Sequence, residues 1–343
     1  MANVQDQSGA ELLLVATGGT IAGRAAHAGD NVGYRSGEVT ADELLAAVPG
    51  LDQSLNGMRL RTLQLAQIDS KDMSHALWQQ LVRVLRAELL REAVAGIVIT
   101  HGTDTLEETA FFLQHVLAPT KPLVITAAMR PATSLQADGP QNLLDALAVA
   151  RTPGAGGVMA VLAGQVHAGN QVRKVDAYRL AAFDSAPAGP VALVEEGVVL
   201  PLRPWPAGLS PDMALCDAVC GLPLDQWPRV AWITSHAGFD AALVDAAVTA
   251  GFDGLLLAGT GNGTLHAELQ AAAERAMQAG VAVRVSTRCA SGRVVGGSGA
   301  GDRGVTSLPV SAESSAAQAR VALLLDLLLA KATTPAAPSN ISA

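Results

Sequence analysis

Lysine is scarce in this chain: Lys71, Lys121, Lys174 and Lys331 are the four among 343 residues. With Lys+Arg at 23 and Asp+Glu at 31, the formal net charge is −8 at pH 7. That balance, with its arginines scattered, excludes a basic stripe for a nucleic-acid backbone. Cysteines number three, Cys216, Cys220 and Cys289. They are too few for a disulfide framework, and their odd count suits a reducing compartment. Cys216 and Cys220 stand three residues apart rather than the two of a redox or zinc knuckle, so no metal site is expected. Long apolar runs are missing as well. The most apolar stretch, Val321 to Ala330, is broken by Asp326 and falls short of the roughly 20 residues of a membrane span. The polar stretch from Met1 to Glu11 lacks the basic and apolar regions of a secretory signal, which predicts a cytoplasmic protein. No repeat recurs at a fixed period, and no G-x-S-x-G or P-loop lysine is found.

Hydrophobic residues make up 50% of the chain and aromatics 3%, a composition for small-residue helix–sheet packing. Short branched runs read as strands covered on both faces: Leu12–Ala16, Gly96–Thr100, Leu123–Ala127, Val158–Leu162, Val230–Thr234, Leu255–Ala258 and Val281–Val285. Helical patterns alternate with them. Thr105–Ala118 opens with a capping-box spacing from Thr105 to Glu108. Pro140–Ala150 opens on a proline. Thr264–Ala279 carries Leu265, Leu269, Ala272 and Ala276 on one face and stops at Gly280. Alternation of this kind predicts an α/β fold: a larger N-terminal, doubly wound, mainly parallel sheet (10–190) and a smaller C-terminal α/β domain (229–332). The proline-dense stretch 191–228 between them reads as a linker with a short strand pair inside it.

Ligands in parallel sheets bind beyond the carboxyl ends of strands, and four such ends carry unusual residues. They are Thr17-Gly18-Gly19-Thr20-Ile21-Ala22-Gly23, His101-Gly102-Thr103-Asp104-Thr105, Met129-Arg130-Pro131, and Gly259-Thr260-Gly261-Asn262-Gly263. Taken alone, the first is equally a phosphate-binding turn or a hydroxyl-chemistry site. Asp104 alone would serve as a helix cap. Two threonines, a glycine and an acid at a buried strand end exceed what a cap needs. A hydroxyl nucleophile requires a base and an oxyanion donor. With no histidine in a nucleophile motif, a desolvated lysine is the remaining base. Lys121 lies in a Thr-Lys-Pro loop and Lys331 in the tail. Lys71 and Lys174 remain, and for each a solvated surface position stays open.

The run from Ala16 to Gly23 resembles the first signature of the bacterial L-asparaginases, and that from Ile99 to Ala110 resembles the second. Ala128-Met129-Arg130-Pro131, Ala137-Asp138-Gly139-Pro140, Asn142-Leu143 and Gly261-Asn262-Gly263 are also similar to this family, in order along the chain. The resemblance implies a two-domain α/β subunit, a homotetramer built as a dimer of dimers, and no cofactor. It implies a small-molecule substrate, L-asparagine with L-glutamine as the alternative amide, and neither nucleic-acid nor membrane partners. By position, Thr20 resembles the nucleophile and Tyr34 the tyrosine of the mobile N-terminal loop. Thr103, Lys174 and Asp104 resemble the second threonine, its base, and the acid that also holds the substrate's α-ammonium. Ser70 resembles the serine that binds the α-carboxylate. Gly19, Lys71, Gly102, Ala128 and Asn262 are the further expected substrate contacts. Amides around Gly19 and Thr103 are expected to form the oxyanion site, with Arg24 and the Gly29/Gly33 region as a lid.

Two departures stand out. Lys71 follows the serine where the family commonly has a neutral or acidic residue. The loop from Ser291 to Gly304 contains no glutamate, where larger family members place one that reaches a neighbouring subunit's site; Asp302 is the candidate substitute. The alternatives left open are a glutaminase–asparaginase, the amidase subunit of a tRNA-dependent amidotransferase, a silent amino-acid-binding homologue, and a nucleotide-binding module. The last needs an acid on the second strand, whereas Glu38, Asp42 and Glu43 fall in a helical pattern.

Overall fold

The computed structural model describes residues 9–27, 29–206, 212–295 and 307–333. The chain divides into two compact units between Asp212 and Met213.

In the first unit, β1 (Glu11–Gly18) is buried along its whole length. Leu12, Leu14 and Ala16 pack with Val98 and Val124 and with helical Leu143 and Leu147. Leu13 and Val15, also fully buried, point to the opposite face, because successive strand side chains alternate. A strand covered on both faces reads as a continuous apolar run, which is why β1 was legible in the sequence. The same holds for β3 (Val94–Thr100), β4 (Pro122–Thr126) and β5 (Gly157–Leu162). The remaining strands are β2 (Arg59–Ile68), β6 (Gln165–Ala168), the small pair β7 (Arg173–Lys174) and β8 (Phe183–Asp184), β9 (Ala192–Glu195) and β10 (Val198–Pro201). Among the described residues five helices join them: α1 (Ala41–Ala46), α2 (Leu51–Leu55), α3 (His75–Leu89), α4 (Leu106–Leu117) and α5 (Gly139–Ala150).

The eight-stranded sheet runs β10-β9-β6-β5-β4-β3-β1-β2. Strands β2, β1, β3, β4 and β5 are parallel, and β6, β9 and β10 extend the sheet antiparallel. The sequence did not reveal β2. It lies at the sheet edge with no fully buried residue, so it lacks the apolar run that marks a central strand. The hairpin β9–β10 falls inside the stretch expected as a linker with a short strand pair, and so does the helix at Met213–Gly221 that opens the second unit.

The second unit comprises α6 (Met213–Gly221), β11 (Val230–Thr234), α7 (Ala242–Thr249), β12 (Gly254–Gly259), α8 (Ala267–Gln278), β13 (Ala282–Thr287) and α9 (Ala316–Thr333). Its three strands form a parallel sheet in the order β11-β12-β13. Leu255, Leu257, Leu269, Ala272, Ala276, Val283 and Val285 fill its core. Leu269, Ala272 and Ala276 of the expected stripe are therefore on the face α8 buries, whereas Leu265 precedes the helix and is partly buried; Gly280, at φ 88°, follows its end. Among the described residues no helix is long and apolar enough to cross a membrane.

Candidate active site

Strand order points to a candidate site. From β1 the chain passes to β2 on one side, and then to β3 on the other. At such a reversal the loops leaving the two strands part and open a crevice at their carboxyl ends. The loops in question are the two glycine–threonine segments. Thr17 Oγ1 donates to Thr100 O at 2.8 Å, tying the strand ends together. The glycines let the loops touch through their backbones. A Cβ on Gly19 would sit 2.4 Å from Gly102 N, and a Cβ on Gly102 would sit 2.4 Å from Ser70 Oγ. Gly19 also takes φ 82°, in the left-handed region.

Thr20 follows Gly19 at the start of a single 3-10 turn, Thr20–Ala22, and is almost fully buried. Its hydroxyl lies 2.7 Å from the phenolic oxygen of Tyr34, its one hydrogen-bond partner among the described residues. Tyr34 rides on the loop expected as a lid. That loop is closed on itself by mutual 3.0 Å bonds between the backbones of Arg24 and Arg35. It is held against the segment after β4 by Ala132 N to Gly23 O (3.0 Å), Ala25 N to Thr133 Oγ1 (2.9 Å) and Ser134 Oγ to Asn31 Oδ1 (2.6 Å).

The second hydroxyl, on Thr103, accepts from Lys174 Nζ at 2.9 Å, and the same ammonium reaches Asp104 Oδ1 at 2.6 Å. Lys174 comes from β7, 71 residues along the chain. Its side chain is mostly buried, whereas 54% of the Asp104 side chain is exposed. The acid therefore bridges the lysine and the open side of the site. It does not cap α4, and neither does Thr105, which makes no side-chain cap bond. The expected capping box is absent because the Thr105 hydroxyl donates to Ser70 O at 2.7 Å instead. Ser70 Oγ accepts from Asp104 N at 3.2 Å, leaving its own hydrogen to donate. Lys71 turns to its neighbours: its ammonium meets Asp69 Oδ2 at 2.8 Å and Asp72 Oδ2 at 3.3 Å. The hydrogen bond to Asp69, with that of Asp72 behind it, holds its pKa above the ordinary lysine value.

Glu107 lies within the run from Ile99 to Ala110, and the sequence assigns it no role. Three residues after Asp104, it accepts a hydrogen bond from the main-chain N–H of Lys174. Asp104 thus takes the lysine's side chain and Glu107 its backbone. One Glu107 oxygen is buried with no partner. Burial, reinforced by the charge of Glu108, pushes this carboxyl up from 4.5 to about 7. The unfolded chain releases the Glu107 proton at a lower pH than the fold does. Stability from this group is therefore full below 4.5 and is lost as pH rises to about 7. Glu107→Gln removes that loss while keeping an acceptor. The variant is expected to exceed the wild type by about 1–3 kcal/mol at about pH 8 and to match it near pH 4. Denaturant titrations at both pH values check this, and a variant less stable at both would refute it.

Of the expected oxyanion donors, the Gly19 N–H is already given to Ile68 O at 2.8 Å. The N–H groups of Thr20 and Thr103 have no acceptor among the described residues. Ala128 lies buried beyond β4, next to Ile21 and Gly139. The segment after it is fixed by Asp138, which accepts from Met129 N at 3.0 Å and Arg130 N at 2.9 Å. Asn142 Nδ2 donates to Ala127 O at 2.9 Å. Asp138 and Asn142 were visible as a motif but not as this clamp, which forms only when α5 packs beside the loop. Asn262 belongs to the second unit, where both ends of its amide engage Val295: Nδ2 to O at 2.9 Å and Oδ1 from N at 2.7 Å. Asp302 lies outside the described residues. Among those described, no group of three His, Cys, Asp or Glu could hold a metal ion.

Comparison with known proteins matches residues 11–205 to the family "Asparaginase, N-terminal" and 229–341 to "Glutaminase/Asparaginase C-terminal domain". L-asparaginase 2 of Escherichia coli is 33% identical over 290 residues, covering 82% of this chain and 78% of the relative. The glutaminase-asparaginase of Pseudomonas fluorescens is 34% identical over 289 residues, covering 83% and 77%. A solved structure of a probable cytoplasmic L-asparaginase from Campylobacter jejuni superposes with a TM-score of 0.81 at 30% identity, covering 94% of this chain and 98% of that one.

Proposed function

The chain belongs to the asparaginase family of amidohydrolases, and from that premise we propose that it hydrolyses L-asparagine with Thr20 as nucleophile, releasing ammonia and L-aspartate. The observation that carries this reading is the pair of separately equipped hydroxyls at one topological switch point. Thr20 is bonded to Tyr34, and Thr103 to Lys174 and Asp104. A single hydroxyl with a partner is common in turns; two converging from different strands meet the needs of a two-step acyl transfer.

The outer oxygen of Asp104 pairs with the α-ammonium, a charge-assisted bond of about 1.5–3 kcal/mol. Ser70 donates its hydroxyl hydrogen to the α-carboxylate. The side-chain amide then lies over Thr20. Oγ1 of Thr20 attacks the amide carbon while its hydroxyl proton passes to the Tyr34 oxygen and the Tyr34 phenolic proton moves on to the amide nitrogen. The Thr20 and Thr103 amides stabilise the developing oxyanion. The C–N bond breaks, the nitrogen leaves with that relayed proton as ammonia, and a β-aspartyl ester remains on Thr20. In its neutral amine form, Lys174 takes the Thr103 hydroxyl proton as Thr103 takes one from the water that attacks the ester carbon; the C–O bond to Thr20 breaks, and the proton held on Lys174 returns to restore the Thr20 hydroxyl. A homotetramer and a cytoplasmic location complete the reading. The first follows from the family resemblance, the second from the likeness to a protein described as cytoplasmic.

Steady-state ammonia release from asparagine and glutamine tests this function, and no release from either would end it. The same assay reads Lys71. Asparagine and glutamine share their α-carbon groups, and the Lys71 ammonium is held by Asp69 and Asp72 rather than by Ser70. Lys71→Gln is therefore expected to shift KM for both amides in the same direction and to leave kcat within about tenfold, the pattern of uniform binding. A collapse of kcat for asparagine alone would place Lys71 in the chemistry.

A further inference from the structure

Behind the site lies a buried polar chain that the proposed chemistry does not use. Trp78, on α3, donates its indole N–H to Thr109 Oγ1 at 3.0 Å. Thr109, on α4, lies 3.0 Å from His101 Nε2, and His101 Nδ1 lies 2.7 Å from Gly102 O. His101 and Thr109 are fully buried and Trp78 nearly so, stacked on Phe112.

The hydrogens in this chain follow from valence and from the charge state of the ring. A carbonyl oxygen only accepts, so His101 Nδ1 carries a proton and donates to Gly102. Burial pushes this imidazole down to about 4, so near neutral pH the ring carries one proton and Nε2 is bare. Nε2 must then accept, and the Thr109 hydroxyl donates to it. An indole N–H only donates, and Thr109 Oγ1 accepts it. Every donor has one acceptor, and the chain runs in a single direction from Trp78 to the Gly102 carbonyl.

Its end point matters because of what Gly102 touches. The Gly102 backbone stands against both Gly19 and Ser70, so the three loops of the site meet there. In a trans peptide the carbonyl and the following N–H point in opposite directions. Holding the Gly102 carbonyl on His101 directs the Thr103 N–H away from that buried ring. This is the amide left without an acceptor among the described residues. We propose that the Trp78–Thr109–His101 chain is a positioning device that locks the Gly102–Thr103 peptide and so aims the Thr103 N–H at the oxyanion of the reacting amide. The inference rests on the amidohydrolase reading above. None of the three side chains is a catalytic residue; they act through Gly102.

Thr109→Val nearly preserves shape but removes both the acceptor for Trp78 and the donor to His101. Thr109→Ser keeps both. With asparagine, Thr109→Val is expected to lower kcat about ten- to a hundredfold with KM within about threefold, because an oxyanion donor acts in the transition state. Thr109→Ser is expected to stay within about threefold of the wild type in kcat. Melting temperatures recorded beside the kinetics separate positioning from packing, since a purely structural role moves Tm and leaves kcat of the folded fraction unchanged. A folded Thr109→Val with wild-type kcat overturns the proposal, and so does a Thr109→Ser that loses as much as the valine variant. Should Thr109→Val not fold, Trp78→Phe carries the test. It removes one N–H from the chain and is expected to cost about three- to tenfold in kcat; an unchanged kcat overturns the proposal. A wild type inactive on both amides would overturn the parent reading together with this one. An active wild type with unaffected variants overturns this inference alone.

Discussion

Thr20→Ala is expected to abolish ammonia release from asparagine, by more than about a thousandfold in kcat, while the protein stays folded. The variant loses the atom that forms the ester. Tyr34 cannot replace it, because its oxygen is the proton partner of that atom. The structural cost is small. Thr20 heads a single 3-10 turn, and its hydroxyl makes one side-chain bond, worth about 1 kcal/mol. Ammonia release and a thermal melt, measured together, distinguish a lost nucleophile from a lost fold. Turnover near the wild-type rate would remove Thr20 from the chemistry and return the glycine–threonine loop to a simple anion-binding turn.

The second large effect is expected at Lys174. Lys174→Met keeps the length and apolar stem of the side chain but removes the group bonded to both Thr103 and Asp104. A base acts in the transition state, so kcat is expected to fall at least about a hundredfold, with only a modest change in aspartate affinity. Asp104 is half exposed and regains water when its partner goes, so the fold should lose no more than about 1 kcal/mol. Single-turnover kinetics with asparagine add a finer readout. If Lys174 serves the water step, the burst of ammonia should persist while steady turnover stops. A variant with comparable kcat would make Lys174 a surface lysine after all.

Neither prediction needed the structure to name its residue; the structure supplied the distances from each residue to its partners. Thr20 and Thr103 stand in motifs that follow buried strands, and such strands announce themselves as short apolar runs. The pairing of Lys174 with Thr103 was available only through resemblance. The segment around the lysine is a two-residue strand, Arg173–Lys174, too short for any periodicity. Thr105 shows the opposite error. Its spacing to Glu108 satisfied a local capping rule, but the hydroxyl goes to Ser70 O, 35 residues away. A local rule ranks only the partners it can see. Lys71 is similar: its place beside Ser70 suggested a cation over the substrate, whereas Asp69 and Asp72 draw it aside.

What the sequence determined by itself is the set of buried strands, the alternation of strands with helices, and the side chains at the strand ends. Each is encoded locally, in runs, periods and glycine positions that constrain the backbone where they occur. The tertiary structure alone decided the strand order that opens a crevice between β1 and β3, and the edge placement of β2. It decided the reach of Lys174 to Thr103 and Asp104, the seat of the Glu107 carboxyl behind that lysine, and the buried run from Trp78 to Gly102. These depend on segments far apart in the chain. Closing such loops costs entropy that grows only slowly with their length, so separation along the chain says little about which distant groups meet. Burial and hydrogen-bond satisfaction in the packed sheet make that choice.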